Sequence, residues 1–104
     1  METLDFHHTA AHRLPGGRAH AIVGVVASGN LEVLLERVLP EAECTVHVAT
    51  SVTGYAEVWR AVVEDFVARR SPGGLRISIN DAGARPDTVA LRLAQGARLM
   101  ESQA

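Results

Sequence analysis

From Tyr55 to Arg70 the apolar residues Tyr55, Val58, Trp59, Val62, Val63, Phe66 and Val67 recur at helical spacing. Such a period lays an apolar stripe along one side of a helix, and the helix is stable only when that stripe is covered. Glu57 with Arg60, and Asp65 with Arg69, are spaced to pair on the other side, each pair contributing about 0.2–0.5 kcal/mol. Pro72-Gly73-Gly74 stops the helix. The flanking segments change to the two-residue alternation of strands, so the stripe must lie on a sheet. This one element therefore commits the chain to a layered α+β fold.

The strands follow from the same reading. Thr3–Phe6 begins a short strand, and Pro15-Gly16-Gly17 breaks whatever precedes it. Ala21–Ala27, rich in Val and Ile, predicts a buried strand. Ser28-Gly29-Asn30 supplies turn chemistry, because Gly and Asn tolerate positive φ. Leu31–Val38 returns as the second arm of that hairpin, and Pro40–Glu43 turns the chain again. Thr45–Thr50 and Leu75–Asn80 alternate as further strands. Asp81–Ala84 is a loop, and Pro86 suits the first turn of a helix running to Met100, with Val89, Leu93, Ala97 and Met100 on its stripe. The expected fold is a two-layer α+β sandwich, a mainly antiparallel sheet with two helices on one face.

Length and charge narrow the function classes. A chain of 104 residues, 47% hydrophobic, is near the commonest domain size and buries a core without staples. Its net charge of −2 gives no electrostatic basis for binding nucleic acid. All ten basic residues are arginine, so no lysine Schiff base or lysine-held phosphate enters the chemistry. Cys44 is the one cysteine, which excludes an intramolecular disulfide and a cysteine-rich zinc site. No apolar run approaches the ~20 residues of a membrane span. The N-terminus lacks the basic start and apolar stretch of a signal peptide, so a soluble, cytoplasmic protein is expected.

The candidate chemical groups are dispersed. His7, His8, His12 and His20 crowd the N-terminal part, but no apolar pattern there fixes them on a common face. We read a polar terminus rather than a metal site, with residues 1–18 either mobile or a short strand. His47 alternates with strand residues at a surface or sheet edge. Cys44 has no activating neighbour and reads as a small buried residue. Asp81 follows a strand, and two readings stand equally: a functional loop carboxylate, or a cap for the turn or the next helix. Ser28 has neither base nor orienting group near it in sequence, so it is no activated nucleophile. On spacing alone it is a turn serine.

Three blocks in order give Ser28 a further meaning: "VGVVASGNLEVLLE" (Val23–Glu36), "TSVTGYAEVWRAVVEDFVARR" (Thr50–Arg70) and "ISINDAGARPDTVALRLAQ" (Ile77–Gln95). Together they resemble the acyl-carrier (delta) subunit of biotin-independent malonate decarboxylase. The last block is also similar to the acyl carrier of citrate lyase. The segment through His20 carries no resemblance.

The resemblance implies one acyl-carrier domain over residues 1–104, non-catalytic in itself. It implies that Ser28 holds 2'-(5''-phosphoribosyl)-3'-dephospho-CoA through a phosphodiester, with Gly29 and Asn30 forming the turn that presents the serine. Where the family often has an acidic residue after the Ser-Gly pair, this chain has Asn30. The implied partners are the acyltransferase and decarboxylase subunits, a malonyl transferase and the phosphoribosyl-dephospho-CoA transferase. The implied reaction converts malonate to acetate and CO2, and the cofactor's thiol explains its logic: a thioester carbonyl accepts the departing electron pair better than a free acid does. No metal is implied. Alternatives are a citrate-lyase-type carrier, a non-catalytic interaction subunit without cofactor, and a small enzyme using Asp81 and a histidine.

Overall fold

A computed structural model describes residues 1–102. In chain order the elements are β1 (Glu2–Thr9), β2 (His20–Gly24), β3 (Leu31–Arg37), β4 (Glu43–Thr50), α1 (Ala56–Arg70), β5 (Leu75–Asp81) and α2 (Pro86–Met100). The strands form one sheet in the order β1-β4-β5-β3-β2. Three of its pairings are antiparallel, and β4 pairs with β5 in parallel across the α1 crossover. Parallel strands require such a crossover, and α1 supplies it.

Register sends one face of every strand to the same side. Leu4, Val48, Ile79, Val33 and Val23 form one row across the sheet, and Phe6, Val46, Ile77, Leu35 and Ala21 the next. Trp59, Val63 and Phe66 of α1, with Val89, Leu93, Ala97 and Met100 of α2, cover these rows in one core. The expected sandwich with both helices on one face is the observed fold. The other sheet face is open and carries Asp5, His47, Ser78 and Glu32.

Three expectations need correction. Residues 2–9 form a full eight-residue strand, longer than the short one expected at Thr3–Phe6. Leu4 and Phe6 pack against the core, and the polar residues between them face solvent. The strand expected over Ala21–Ala27 stops at Gly24, and Val25 and Val26 are 58% and 57% exposed. The cause is Gly24: its φ is +82, and a Cβ there would strike the Leu31 carbonyl. Finally, Tyr55 and Val58 do not join the covered stripe of α1; they are 53% and 39% exposed, with Tyr55 at the N-cap.

The segment between β1 and β2 has no regular structure yet is held in place. Leu14 is fully buried, and its amide donates to the Gly73 carbonyl at 3.0 Å. The Arg37 guanidinium donates to the carbonyls of Leu14, Arg18, Pro15 and Met100. It ties this segment to the last turn of α2, where a cation also favours the helix dipole. Burial, and to a lesser degree the nearby charge of Arg13, push the Arg37 pKa downward from its usual value. Ser71 caps α1 at φ 45, and its hydroxyl donates to the His12 carbonyl while accepting from the His12 amide.

Cys44 is fully buried, and burial pushes its thiol from the ordinary 9.0 up to about 12. It is therefore expected to resist disulfide reagents at pH 8 in the folded chain and to react at once in denaturant. Ready reaction of the folded chain in a thiol-titration assay would contradict this placement. The sign of the linkage follows. Below about 9 the thiol is neutral in both states; above it only the unfolded chain ionises, so stability falls as pH rises toward about 12.

Candidate functional site

Beyond Gly24 the chain runs through Val25 and Val26 into a tight turn over Ala27–Asn30. The Asn30 amide donates to the Ala27 carbonyl at 2.8 Å, so Ser28 and Gly29 are its two central residues. Gly29 has φ +75, the value that a type II turn demands at its third position. Ser28 precedes it and is exposed, and its hydroxyl makes no hydrogen bond among the described residues. A Cβ on Gly29 would meet nothing within 4 Å, so the turn stands clear of the body of the protein. The Asn30 side chain accepts from the Leu31 amide at 2.8 Å and fixes the start of β3.

The turn is braced from one side only. The Gly29 amide donates to the Ala82 carbonyl at 2.8 Å, and the Ala82 amide donates to the Asn30 carbonyl at 2.9 Å. Ala82 is held in turn by Asp81. One carboxylate oxygen of Asp81 accepts from the Thr50 hydroxyl at 2.8 Å and the Gly83 amide at 3.1 Å, and the other accepts from the Ala84 amide at 2.9 Å. Asp81 is 6% exposed and Thr50 fully buried. Of the two readings of Asp81, the geometry matches the turn cap. Its three donors lie within the protein, in the manner of an Asx turn.

Beside that loop, where α1 and α2 begin, lies a cleft of about 300 Å³. Val52, Tyr55, Val58, Trp59, Val62 and Val89 form its apolar lining, Thr50 and Asp81 are its buried polar groups, and Arg85 adds a cation. On the α2 side of β2, the Nε of Arg92 is buried without a hydrogen-bond partner, 3.4 Å from where a Gly24 Cβ would stand. Sequence reasoning missed both features, because neither the cleft nor Arg92 belongs to any local pattern.

The histidines do not converge. His7 and His8 lie on β1 and point to opposite sides of it, while His12 sits in the tied-down segment and His20 begins β2. Among the described residues no group of His, Cys, Asp and Glu is arranged to hold a metal. His47 meets Asp5 across the strands, Nδ1 to Oδ1 at 2.6 Å, on the open face. Ser78 neighbours His47 on β5, yet no hydrogen bond joins the two, and the amides of these paired strands are engaged in the ladder. No base among the described residues makes a hydrogen bond to Ser28. Among the described residues no helix is long and apolar enough to cross a membrane.

A family model described as malonate decarboxylase delta subunit (MdcD) matches residues 18–100. A malonate decarboxylase acyl carrier protein from Bradyrhizobium diazoefficiens is 64% identical over 98 residues, 94% of this chain and 93% of the relative. One from Xanthomonas campestris pv. campestris is 46% identical over 101 residues, 97% and 96% of the two chains. Among solved structures, a chain of a Pseudomonas malonate decarboxylase hetero-tetramer in complex with malonate superposes with a TM-score of 0.85 at 42% identity, covering 96% of this chain and 99% of that one.

What the family model and these relatives define together is a carrier-type protein, the acyl carrier of a multi-subunit complex. The chain belongs to the malonate decarboxylase delta subunit family, the acyl carriers of that decarboxylase. The resemblance read from its three sequence blocks is thereby established, for malonate decarboxylase rather than citrate lyase.

Proposed function

We propose that this chain carries acetyl and malonyl groups for a malonate decarboxylase, on 2'-(5''-phosphoribosyl)-3'-dephospho-CoA joined to the Ser28 Oγ by a phosphodiester. The carrying observation is the turn itself: an exposed, unengaged hydroxyl in open space, on a loop braced by two hydrogen bonds. The residues fit such a group. No carboxylate stands within the turn to repel a phosphodiester, and Arg92 of α2, with its unpartnered Nε beside Gly24, is a cation next to the strand that leads into it. When bound, the group supplies the thiol that turns malonate into a thioester, which loses CO2 more readily than the free dicarboxylate.

The chain's own part is presentation. Gly29 lets the backbone turn, Asn30 fixes where β3 begins, and Ala82 keeps the turn from folding onto the sheet. Ser28 needs no base of its own, since a separate transferase makes the single attachment. Cys44 is buried with a raised pKa and offers no thiol for acyl transfer. The chain then passes between an acyltransferase subunit, which exchanges acetyl for malonyl, and the decarboxylase subunits, after a malonyl transferase has primed it. Its setting is the cytoplasm, and the isolated chain is non-catalytic.

Intact-mass measurement of the protein purified from its native host tests the reading directly. The expected result is the polypeptide plus one phosphoribosyl-dephospho-CoA, with or without an acyl group, and a fragment spectrum placing the addition on Ser28. A bare polypeptide mass in active complex would overturn the carrier reading in favour of a cofactor-free interaction subunit.

A further inference from the structure

We propose that the cleft between the N-terminal ends of α1 and α2 is a resting site for the acyl-pantetheine segment of the prosthetic arm. This inference rests on attachment at Ser28 and extends it to a second site on the same chain. The cleft gathers apolar side chains that the fold leaves uncovered: Val52, Tyr55 and Val58 are 39%, 53% and 39% exposed and all line it. Its wall is completed by Trp59 and Val89 from the core.

The tether comes from the covalent path. Ala82, which receives the Gly29 amide, stands between Asp81 and Gly83, and both of those line the cleft. The attachment turn is therefore hydrogen-bonded to the loop that lines the cleft, a loop itself held by the three hydrogen bonds to Asp81. A group tethered at Ser28, beside that loop, is at high effective concentration over the cleft, so even weak contacts hold it.

Size and chemistry choose the segment. About 300 Å³ is at the small end of ligand sites, room for a slender chain and not for a whole nucleotide-bearing cofactor. An apolar lining suits the pantetheine methyls and methylenes. The Asp81 carboxylate accepts amide N–H donors, as it already does from Gly83 and Ala84. Arg85, a lining cation, matches the free carboxylate of a malonyl group. Lodged there, the thioester is kept from water between visits to the partner subunits.

Trp59 reports on the cleft, because it lines it and is the only tryptophan of the chain. The experiment loads the apo chain with its transferase, confirms loading at Ser28 by intact mass, and compares Trp59 emission and thioester hydrolysis with Val58→Asp and Tyr55→Ala. The acetylated holo chain is expected to show shifted or quenched emission relative to apo. Its thioester should hydrolyse several-fold more slowly than free acetyl-dephospho-CoA, and Val58→Asp should erase both effects. Tyr55→Ala, a truncation at an exposed N-cap, should weaken them and keeps the test valid if the charged variant folds poorly. Fully loaded chain with unchanged emission and unprotected thioester overturns the resting site while leaving attachment intact. Emission that changes only when partner subunits are added also overturns it, and assigns the cleft to protein docking. If no mass appears on Ser28, the attachment reading fails first and the resting site with it.

Discussion

Ser28→Ala is expected to abolish loading of the prosthetic group, and with it malonate decarboxylation by the reconstituted complex, while leaving stability within about 0.5 kcal/mol of the parent. The small structural cost follows from the turn. Ser28 is exposed and its hydroxyl makes no hydrogen bond among the described residues, while the positive φ that defines the turn belongs to Gly29. Alanine is tolerated at the second position of a type II turn. The functional cost is total because a phosphodiester needs an oxygen to bond to. Ser71 is buried and bonded to His12, and Ser78 lies within the central strand β5, so neither offers a substitute. Ser51 is exposed and makes the sharper control, since it lies outside the braced turn, and Ser51→Ala should load normally. Coexpression with the cofactor-synthesis and transfer enzymes, then intact mass and assay, reads all of this. A Ser28→Ala chain that gains the full cofactor mass would move the attachment elsewhere.

What the sequence made legible was what local pattern encodes. Both helices, the hairpin around Ser28 and the alternating strands β4 and β5 follow from period and turn residues, and they stand within a few residues of where they were expected. Their limits were less legible. Val25 and Val26 look like strand residues, but a strand ends where the backbone must leave its register. Here Gly24 does so because the Leu31 carbonyl occupies the space of a side chain. Tyr55 and Val58 have the spacing of a core stripe and still face outward, because the sheet covers only the side holding Trp59, Val63 and Phe66. The strand β1 was shortened by its histidines, although Leu4 and Phe6 already alternate inward; polar composition hid a period that was present. Arg37, bonded to four carbonyls from distant parts of the chain, has no local signature at all. The serine was visible as a turn residue, but its reading as an attachment point came from its own block taken with two others far from it in sequence. The support of that turn, from Asp81 through Ala82, could be seen only once β3 and β5 were side by side.

That support is the basis of the second large effect, for Asp81→Ala should destabilise the protein by about 3 kcal/mol and loosen the Ser28 turn as well. Three donors lose their acceptor together: the Thr50 hydroxyl and the Gly83 and Ala84 amides. Hydrogen bonds to a charged group contribute about 1.5–3 kcal/mol each, and a buried donor left unsatisfied costs about 1–3. The simple sum is too high, because the amides can recruit water once the loop opens, and the Thr50 hydroxyl retains the Val52 carbonyl at 3.3 Å. Asp81→Asn keeps one acceptor oxygen in the same shape but turns an NH2 group toward one of the donors, so about half of the loss is expected. Urea unfolding measures the first effect. The second is read at the Gly29 amide, whose hydrogen exchange should accelerate in both variants under conditions where the amides of β4 stay protected. Gly29 donates to Ala82, and Ala82 keeps its place only while Asp81 organises the residues after it. Loading of Ser28 by the transferase should slow in the same order, Ala more than Asn, without being abolished. An Asp81→Ala chain with parental stability and unchanged exchange at Gly29 would mean that the turn holds itself, and that Asp81 stands ready for some other use.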